Sequence, residues 1–544
     1  MHEAATDIHR LGDVRPRALV RRASLLLGVL GLGLCGARRA SAQLPPAPPP
    51  ISNVEDARTL PKGVVLFRAM NAWTRIDQVY DAAADSAQPL HPLGNAFSVE
   101  SLGVRQFPAL LPVQTALRDL TGQPSISLNV GQTFSTADTR IVTTPLSLAY
   151  GITDRLTLGV MLPVVQTHTT VFVELNPRRL GPNFAANVGP TPPSDLTALN
   201  QQLGAATTDL NAFLANCTAS GSCSPQQVQQ ATTLRDQVGG VSQALVVMYG
   251  PGSQYAPLGT ATLEAITNHL NALSTSVGQI TGGTYSFPAP AGAQAPAALL
   301  QLQQLVGAAA YDSLGSPDAI GTGDMEISAL FKLVDGFADS TGVRLRATLR
   351  GVLRLGTGRP PDGTVLYQVG TGTGQTSADG GAIFDVRLGR RFMATLAGQY
   401  TGYFTSAPLP RLPNSDYALF PIDLPASGAW KSGNVIEAEA MPRFLLTDYF
   451  TIHGAYTFRQ VAASQYTSPG ANAPPLVAAS TEQRAGLGFG YSAVAHYAHG
   501  TATLPLEVFY THLETIAASG SLMPKYRRDQ IEFRIYYRLR RGGR

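Results

Sequence analysis

Charge is scarce in this sequence: Asp, Glu, Lys and Arg make up 14% of its 544 residues, where an average soluble chain carries about 25%. Cysteine is scarce too, with three residues, and tryptophan, with two. So few cysteines exclude a small domain held by a disulfide framework. Long apolar runs are missing as well. After residue 36 nothing approaches the ~20 consecutive apolar residues that a membrane-spanning helix requires, which excludes a helical membrane protein. Glycine is plentiful at 54 residues, beside 39 prolines and an ordinary hydrophobic share of 44%. Apolar residues spread thinly, at every second position along membrane-spanning strands, account for such a composition.

The first fifty residues carry their own pattern. Arg15, Arg17, Arg21 and Arg22 precede an apolar run over residues 25–35, and Ala40-Ser41-Ala42 closes it before Gln43. A basic region, a short apolar region and a small-residue cleavage site make a secretory signal peptide, so residues 1–42 are expected to be cut away after Ala42. Lipidation of Cys35 is the alternative, although in Leu32-Gly33-Leu34-Cys35 it is Leu34 that precedes the Cys, where a small residue is usual. Residues 1–42 hold seven Arg and three acidic residues, a surplus of four that equals the net charge of +4 for the whole chain. The processed protein is therefore near neutral, and nucleic acid is not an expected partner. Cys217 and Cys223 remain, and in an oxidising compartment they are expected to form one small disulfide. Metal binding is the rival, with no His nearby to complete a site.

From about residue 125 the chain alternates with period two. Leu156, Leu158, Val160, Leu162 and Val164 share one face, and Val142, Leu146, Leu148, Tyr150 and Ile152 do the same across the Thr153-Asp154 turn. Along residues 343–355, Val343, Leu345, Ala347, Leu349, Leu353 and Leu355 oppose Arg344, Arg346, Thr348, Arg350 and Arg354. At ~3.3 Å per residue such a strand is long enough for a tilted membrane crossing. The same parity groups Asp324, Glu326 and Lys332, then Asp385 and Arg387, then Glu437, Glu439 and Arg443, and finally Glu532 and Arg534. Each group lies opposite apolar neighbours.

A soluble sandwich also alternates, but its connections are similar at both ends. Here one end has short turns (153–154, 334–341, 389–391, 447–448) and the other long ones (176–320, 359–378, 405–433, 464–479). Short turns on one side and long loops on the other mark a transmembrane barrel whose charged face is the lumen. Twelve strands are expected, at 125–134, 139–152, 155–168, 323–334, 342–356, 381–389, 391–404, 434–446, 449–460, 482–492, 503–514 and 529–540. Residues 63–79 and 96–103 would make fourteen, but their alternation is poor. The fold class is thus all-β, a transmembrane antiparallel barrel over 125–540, preceded by an N-terminal extension over 43–124 with a short helix near 107–117.

Residues 176–320 break the pattern. After Ser194, a good N-cap, Leu196, Leu199, Leu203, Ala206, Leu210 and Phe213 recur at helical spacing. Ser224-Pro225 opens a second helix carrying Val228, Ala231, Val238, Val241 and Leu245. The Cys217/Cys223 pair sits between them, so a stapled helical hairpin is expected in an extracellular insertion. Weaker helices are expected near 260–278 and 295–310.

No P-loop, HExxH or GxSxG motif is present. A GxGxxG string, residues 31–36, lies inside the signal segment with no strand before it. His168 and His453 stand alone in expected strands, and His512 falls on the outward parity beside Tyr510 with no serine to complete a hydrolase pair. No catalytic residue, cofactor or metal is expected, and the chain does not read as an enzyme.

Three segments carry a resemblance: YGITDRLTLGVMLPVV (150–165), GTGDMEISALFKL (321–333) and IEFRIYYRL (531–539). They resemble the outer-membrane family associated with the meta-pathway of phenol degradation and, more loosely, the hydrophobic-compound transporters of the long-chain fatty acid type. The resemblance implies passive uptake of aromatic or other poorly soluble molecules, with outer-membrane lipid and small hydrophobic solutes as partners. Two features depart from it, the large insertion and an Arg-Arg-Gly-Gly-Arg end without a terminal aromatic. The expected function is therefore an outer-membrane channel. Its lumen would be lined by Arg344, Arg346, Arg350, Arg354, Asp324, Glu326, Lys332, Asp385, Arg387, Glu437, Glu439, Arg443, Glu532 and Arg534. The alternatives are a closed structural barrel that displays a helical binding module, and an outer-membrane lipid hydrolase.

Overall fold

The structure, a computed structural model, describes residues 56–539 with the exception of 81–89, 96–97, 105–109, 130, 177–184, 187–195, 250–253, 256–260, 291–314, 338–342, 363–364, 366, 406, 409–428, 469–470, 473–478 and 521–522. The signal segment 1–42, Ser194 and the helix expected over 295–310 lie outside the described residues.

Twelve long antiparallel strands follow one another around a closed barrel. They are β1 (Val64–Tyr80), β2 (Gln132–Gly151), β3 (Leu156–Asn176), β4 (Met325–Asp335), β5 (Val343–Leu355), β6 (Ser377–Leu388), β7 (Phe392–Tyr403), β8 (Val435–Leu445), β9 (Phe450–Val461), β10 (Ser480–Ser492), β11 (Leu506–Ser519) and β12 (Met523–Arg538). Each pairs with its successor, and β12 returns to β1 with Val64 opposite Arg538 and Tyr80 opposite Met523. Closure leaves no free sheet edge, and every strand satisfies its backbone polar groups against two neighbours. Two short strands supplement the twelve. Leu90–Pro92 pairs with the end of β1, and Asp318–Thr322 pairs with β3 just ahead of β4. Among the described residues no helix is long and apolar enough to cross a membrane.

The expected count of twelve holds, but two of its members change. Residues 125–134 and 139–152 are not a hairpin: one strand, β2, runs from Gln132 to Gly151. Ser135, Thr136 and Asp138 look like turn residues in sequence, yet Ser135 lies on the buried inward face of β2, and Thr136 and Asp138 lie on its outward face. The missing member is β1, so the barrel starts at Val64 rather than at residue 125. Its alternation is poor because its inward face includes Met70, Ala72 and Ile76, all buried, where a wet face would carry polar groups. Residues 98–103 are not strand.

Four of the turns at one end are short, as expected, but residues 493–505 at that end include a short helix, Val494–Ala498. Both ends of the barrel lie there, since Val64 pairs with Arg538. The long connections occupy the opposite end. Helix α1 (Leu111–Thr121) comes from the β1–β2 connection, where an apolar stretch led a helix to be expected. Helices α2 (Leu196–Ser220), α3 (Pro225–Tyr249) and α4 (Ala261–Thr281) come from the insertion. Ser224 and Gln227 form a reciprocal cap at the start of α3: the Gln227 amide donates to Ser224 Oγ, 3.2 Å, and the Ser224 amide to Gln227 Oε1, 2.8 Å. The Cys217–Cys223 disulfide joins α2 to the α3 cap, with a Cα separation of 5.2 Å. Leu117, Leu120, Leu203, Leu210, Leu245 and Leu270 meet in one core built from all four helices. α1 thus brings part of a distant connection into the insertion's core, a junction that periodicity alone does not reveal.

Candidate functional site

The barrel is polar inside and apolar outside. On β5, Leu345, Leu349 and Leu353 are 43, 46 and 40% exposed on the outer wall, while Asp385 on neighbouring β6 is fully buried inside. Three levels can be followed down the lumen from the long-loop end.

The first level is apolar. Ile76 of β1, Ala137 and Ile141 of β2, Val165 of β3 and Tyr526 of β12 converge on Leu93 and Val369, which fold in from the β1–β2 and β5–β6 connections. Thr167 and Thr169 of β3 donate to the carbonyls of Val369 and Tyr367, at 3.0 and 3.1 Å. At the base of the same connection Asp324 accepts from the Gly358 amide (2.9 Å) and from the amide and hydroxyl of Thr373 (2.7 and 2.8 Å).

The second level is charged. Arg354 bridges Glu326 and Asp379 at 2.8 and 3.3 Å. Arg350 donates to Gln399 Oε1 (2.9 Å), and Gln399 donates to Glu437 (3.3 Å). The chain of charges continues to Arg459, 3.8 Å from Glu437, which stands opposite Glu482 in the ladder; Glu482 in turn binds Arg484 at 3.0 Å. Nearer the short-turn end Glu532 binds Arg68 and, at 2.6 Å, Arg534.

The third level is the chain itself. Residues 56–60, just ahead of β1, cross inside the barrel. The Ala57 amide donates to Asp385 Oδ2 at 2.9 Å and its carbonyl accepts from Thr348. Asp56 pairs with Arg443 of β8 at 3.8 Å, Arg58 with Glu507 of β11 at 3.5 Å, and the Leu60 amide donates to Thr157 of β3 at 2.8 Å. Because these partners stand on opposite walls, the segment spans the lumen. Below it a cavity of about 1390 Å³ opens at the short-turn end, lined by Arg58, Leu60, Leu66, Tyr497 and Tyr536 among others.

The fourteen lumen candidates separate accordingly. Arg346, Arg350, Arg354, Glu326, Asp385, Glu437, Arg443, Glu532 and Arg534 join the inward ion pairs and hydrogen bonds, with Arg346 reaching Asp335 at 3.1 Å and Asp385 at 3.6 Å. Glu439 shares the inward face with Glu437. Arg344 holds the inward parity near the short turns. Arg387 folds onto the Arg390 carbonyl (3.0 Å) and Lys332 onto Asp335 (3.5 Å), both near the short-turn end. Asp324 is buried as the clamp of the β5–β6 connection, its carboxylate used by backbone amides. Sequence reasoning missed Arg68, Asp56 and Arg58, whose segments do not alternate. It also missed Glu482, Arg484 and Glu507, for which parity in recognised strands was the available signal.

The histidines fall on both faces. His453 is inside, 2.9 Å from the Thr511 hydroxyl. His168 and His512 face outward and meet Asp318 and Asp529, at 2.5 and 2.9 Å. Tyr510 donates to the same Asp529 oxygen at 2.6 Å. Among the described residues no group of His, Cys, Asp and Glu is arranged to hold a metal ion.

The class defined by this geometry is a closed twelve-strand antiparallel barrel with an inside-out distribution of charge. No family model and no curated protein matches the chain. Solved structures do match. An outer membrane channel from Pseudomonas putida F1 aligns at 10% identity over 89% of this chain and 100% of that chain, with a TM-score of 0.40. The P. putida toluene transporter TodX aligns at 11% identity over 89% and 92%, TM-score 0.25. A Pseudomonas aeruginosa FadL homologue aligns at 10% identity over 88% and 90%, TM-score 0.26. The fold assignment rests on the strand order and closure of this chain, and these likenesses add no argument to it.

Proposed function

We propose that this chain is an outer-membrane channel for passive uptake of small hydrophobic or aromatic molecules. In this reading the long connections face outward, the two ends of the barrel face the periplasm, and residues 1–42 are removed on export. The observation that carries it is an apolar cluster inside a lumen whose remaining inward face is largely charged or hydroxylated. Carbon side chains drawn inward from four strands and two connections give the mostly apolar lining that small-molecule sites favour. Alternate leucines give the outer wall its contact with lipid, and Arg344, Arg346, Arg350 and Arg354 face the interior, where charge sets the field of a pore.

The test is uptake. Cells producing the protein should accumulate the apolar fluorophore N-phenylnaphthylamine several-fold faster than the same cells without it, while entry of a disaccharide stays at background. Equal fluorophore rates would contradict the proposal. The second reading, a closed barrel displaying a helical module, draws on the separate core and disulfide of α1–α4; it predicts those equal rates.

A further inference from the structure

We propose that Arg140, Arg75 and Arg527, side by side on the outer wall of β2, β1 and β12, bind the phosphates of a glycolipid of the lipid A type in the outer leaflet. The proposal takes from the uptake reading only its orientation, with the long connections outward. It concerns the lipid around the barrel, not the solute within it.

The ladder itself brings the three arginines together. Arg75 stands opposite Arg140 on one side and opposite Arg527 on the other, in direct register. All three have outward parity, and the side chains of Arg140, Arg75 and Arg527 are 68, 49 and 37% exposed. Like charges directly opposite one another in a sheet are destabilising, so two such pairs in one row call for anions close by. The wall supplies two beside the row. Asp138 accepts from Arg75 Nε at 2.9 Å and lies 3.8 Å from Arg140, while Asp77 pairs with Arg527 and lies 3.6 Å from Arg75. Three guanidinium groups thus share two carboxylates, and Arg140, the most exposed, has the most distant partner. Lys525 and Glu514 close on each other at 2.8 Å, and Asp529, one row nearer the apolar band, is bonded to Tyr510 and His512.

Depth selects the ligand. From Tyr537 to Arg527 β12 rises ~33 Å at ~3.3 Å per residue, or ~25 Å along the barrel axis at a ~40° tilt. That is the height of the apolar band of a transmembrane barrel, ~25 Å. Trp73, the outward residue before Arg75 on β1, is exposed at the upper edge of this band, where an aromatic girdle belongs. The arginines therefore lie at the level of lipid headgroups, in the leaflet on the side of the long connections. Neighbouring strands are ~4.8 Å apart, so one phosphate reaches two guanidinium forks, whose paired donors match its oxygens. Its charge answers the repulsion along the row. Below it the exposed Trp73, Leu146 and Phe533 offer carbon to acyl chains. The ligand that fits is an amphiphile with phosphate at its head, which in the outer leaflet is lipid A.

The experiment measures lipid binding to the purified protein in detergent by native mass spectrometry. The probes are bis-phosphorylated lipid A, the same lipid with both phosphates removed, and phosphatidylglycerol. Lipid A should bind about ten-fold more tightly than either of the others. Arg140→Gln, which leaves Asp138 paired with Arg75, should weaken lipid A binding about five-fold. Arg390→Gln combined with Arg391→Gln, exposed at the short-turn end, should leave it unchanged. Equal affinity for phosphatidylglycerol, or equal losses in the two variants, would overturn the proposal by showing unspecific charge attraction. Inorganic phosphate in excess should not displace the lipid, and displacement would overturn the assignment to a lipid. Asp138→Asn removes one of the shared carboxylates and should tighten lipid A binding, a gain that misfolding cannot produce; unchanged or weaker binding there would also overturn it. None of these readouts involves transport, so the site can stand while the uptake reading fails, and the reverse.

Discussion

At the scale of single residues, the arrangement turns on where a charge can sit. Facing hydrocarbon at mid-depth an arginine costs about 2–4 kcal/mol. Facing inward, Arg354 meets Glu326 and Asp379, and Arg534 meets Glu532. Glu532 stands between Arg68 and Arg534, both buried. Its replacement, Glu532→Gln, leaves two cations short of their partner and is expected to cost about 3–5 kcal/mol. The measurement is the urea midpoint of the folded band in heat-modifiable gel mobility, and an unchanged midpoint would mean that these charges are not buried as described. Much of this level was legible. Parity placed nine of the fourteen candidates in the inward network, because side chains on a strand must alternate. Asp324, which precedes β4, shares that parity, but its carboxylate is used by the amides of a connection that no local pattern encodes. Parity gave no signal for Arg68, whose neighbours on β1 are carbon on both faces.

At the scale of elements, the helices form a unit with its own core. The cluster around Leu203, Leu245 and Leu270 contains no residue of a barrel strand. The disulfide closes a loop with a sequence separation of 6, which in the chain-entropy account stabilises by about 2 kcal/mol. The double variant Cys217→Ser, Cys223→Ser should lower the thermal midpoint of the helical signal in far-ultraviolet circular dichroism, with barrel mobility on gels and fluorophore uptake both unchanged. Loss of uptake would show that the helices act in passage and would contradict their separation from the barrel. The helical hairpin could be read from i, i+3 and i+4 spacing and from Ser224-Pro225. The contribution of α1 could not, because its core partners lie more than seventy residues away.

For the whole molecule, the count of twelve strands survived an exchange of members: β1 entered while 125–134 and 139–152 became parts of one assignment, with β2 starting at Gln132. A closed meander tolerates such an exchange, since each strand needs only two neighbours and the circle must close. What the sequence left unread were the connections that enter the lumen, residues 56–60 and the tip carrying Val369, because inward folding places turn-like sequences where their surroundings determine their role. The claim on which everything rests is that alternate side chains meet lipid outside and an enclosed polar interior within. Nitroxide labels placed one at a time from Arg344 to Leu355 in lipid vesicles test it most directly. Collision with oxygen should peak at Leu345, Leu349 and Leu353 and fall at Arg344, Arg346, Arg350 and Arg354, with period two along the strand. A profile without that period, or one in which the leucine positions collide preferentially with a water-soluble nickel chelate, would contradict it.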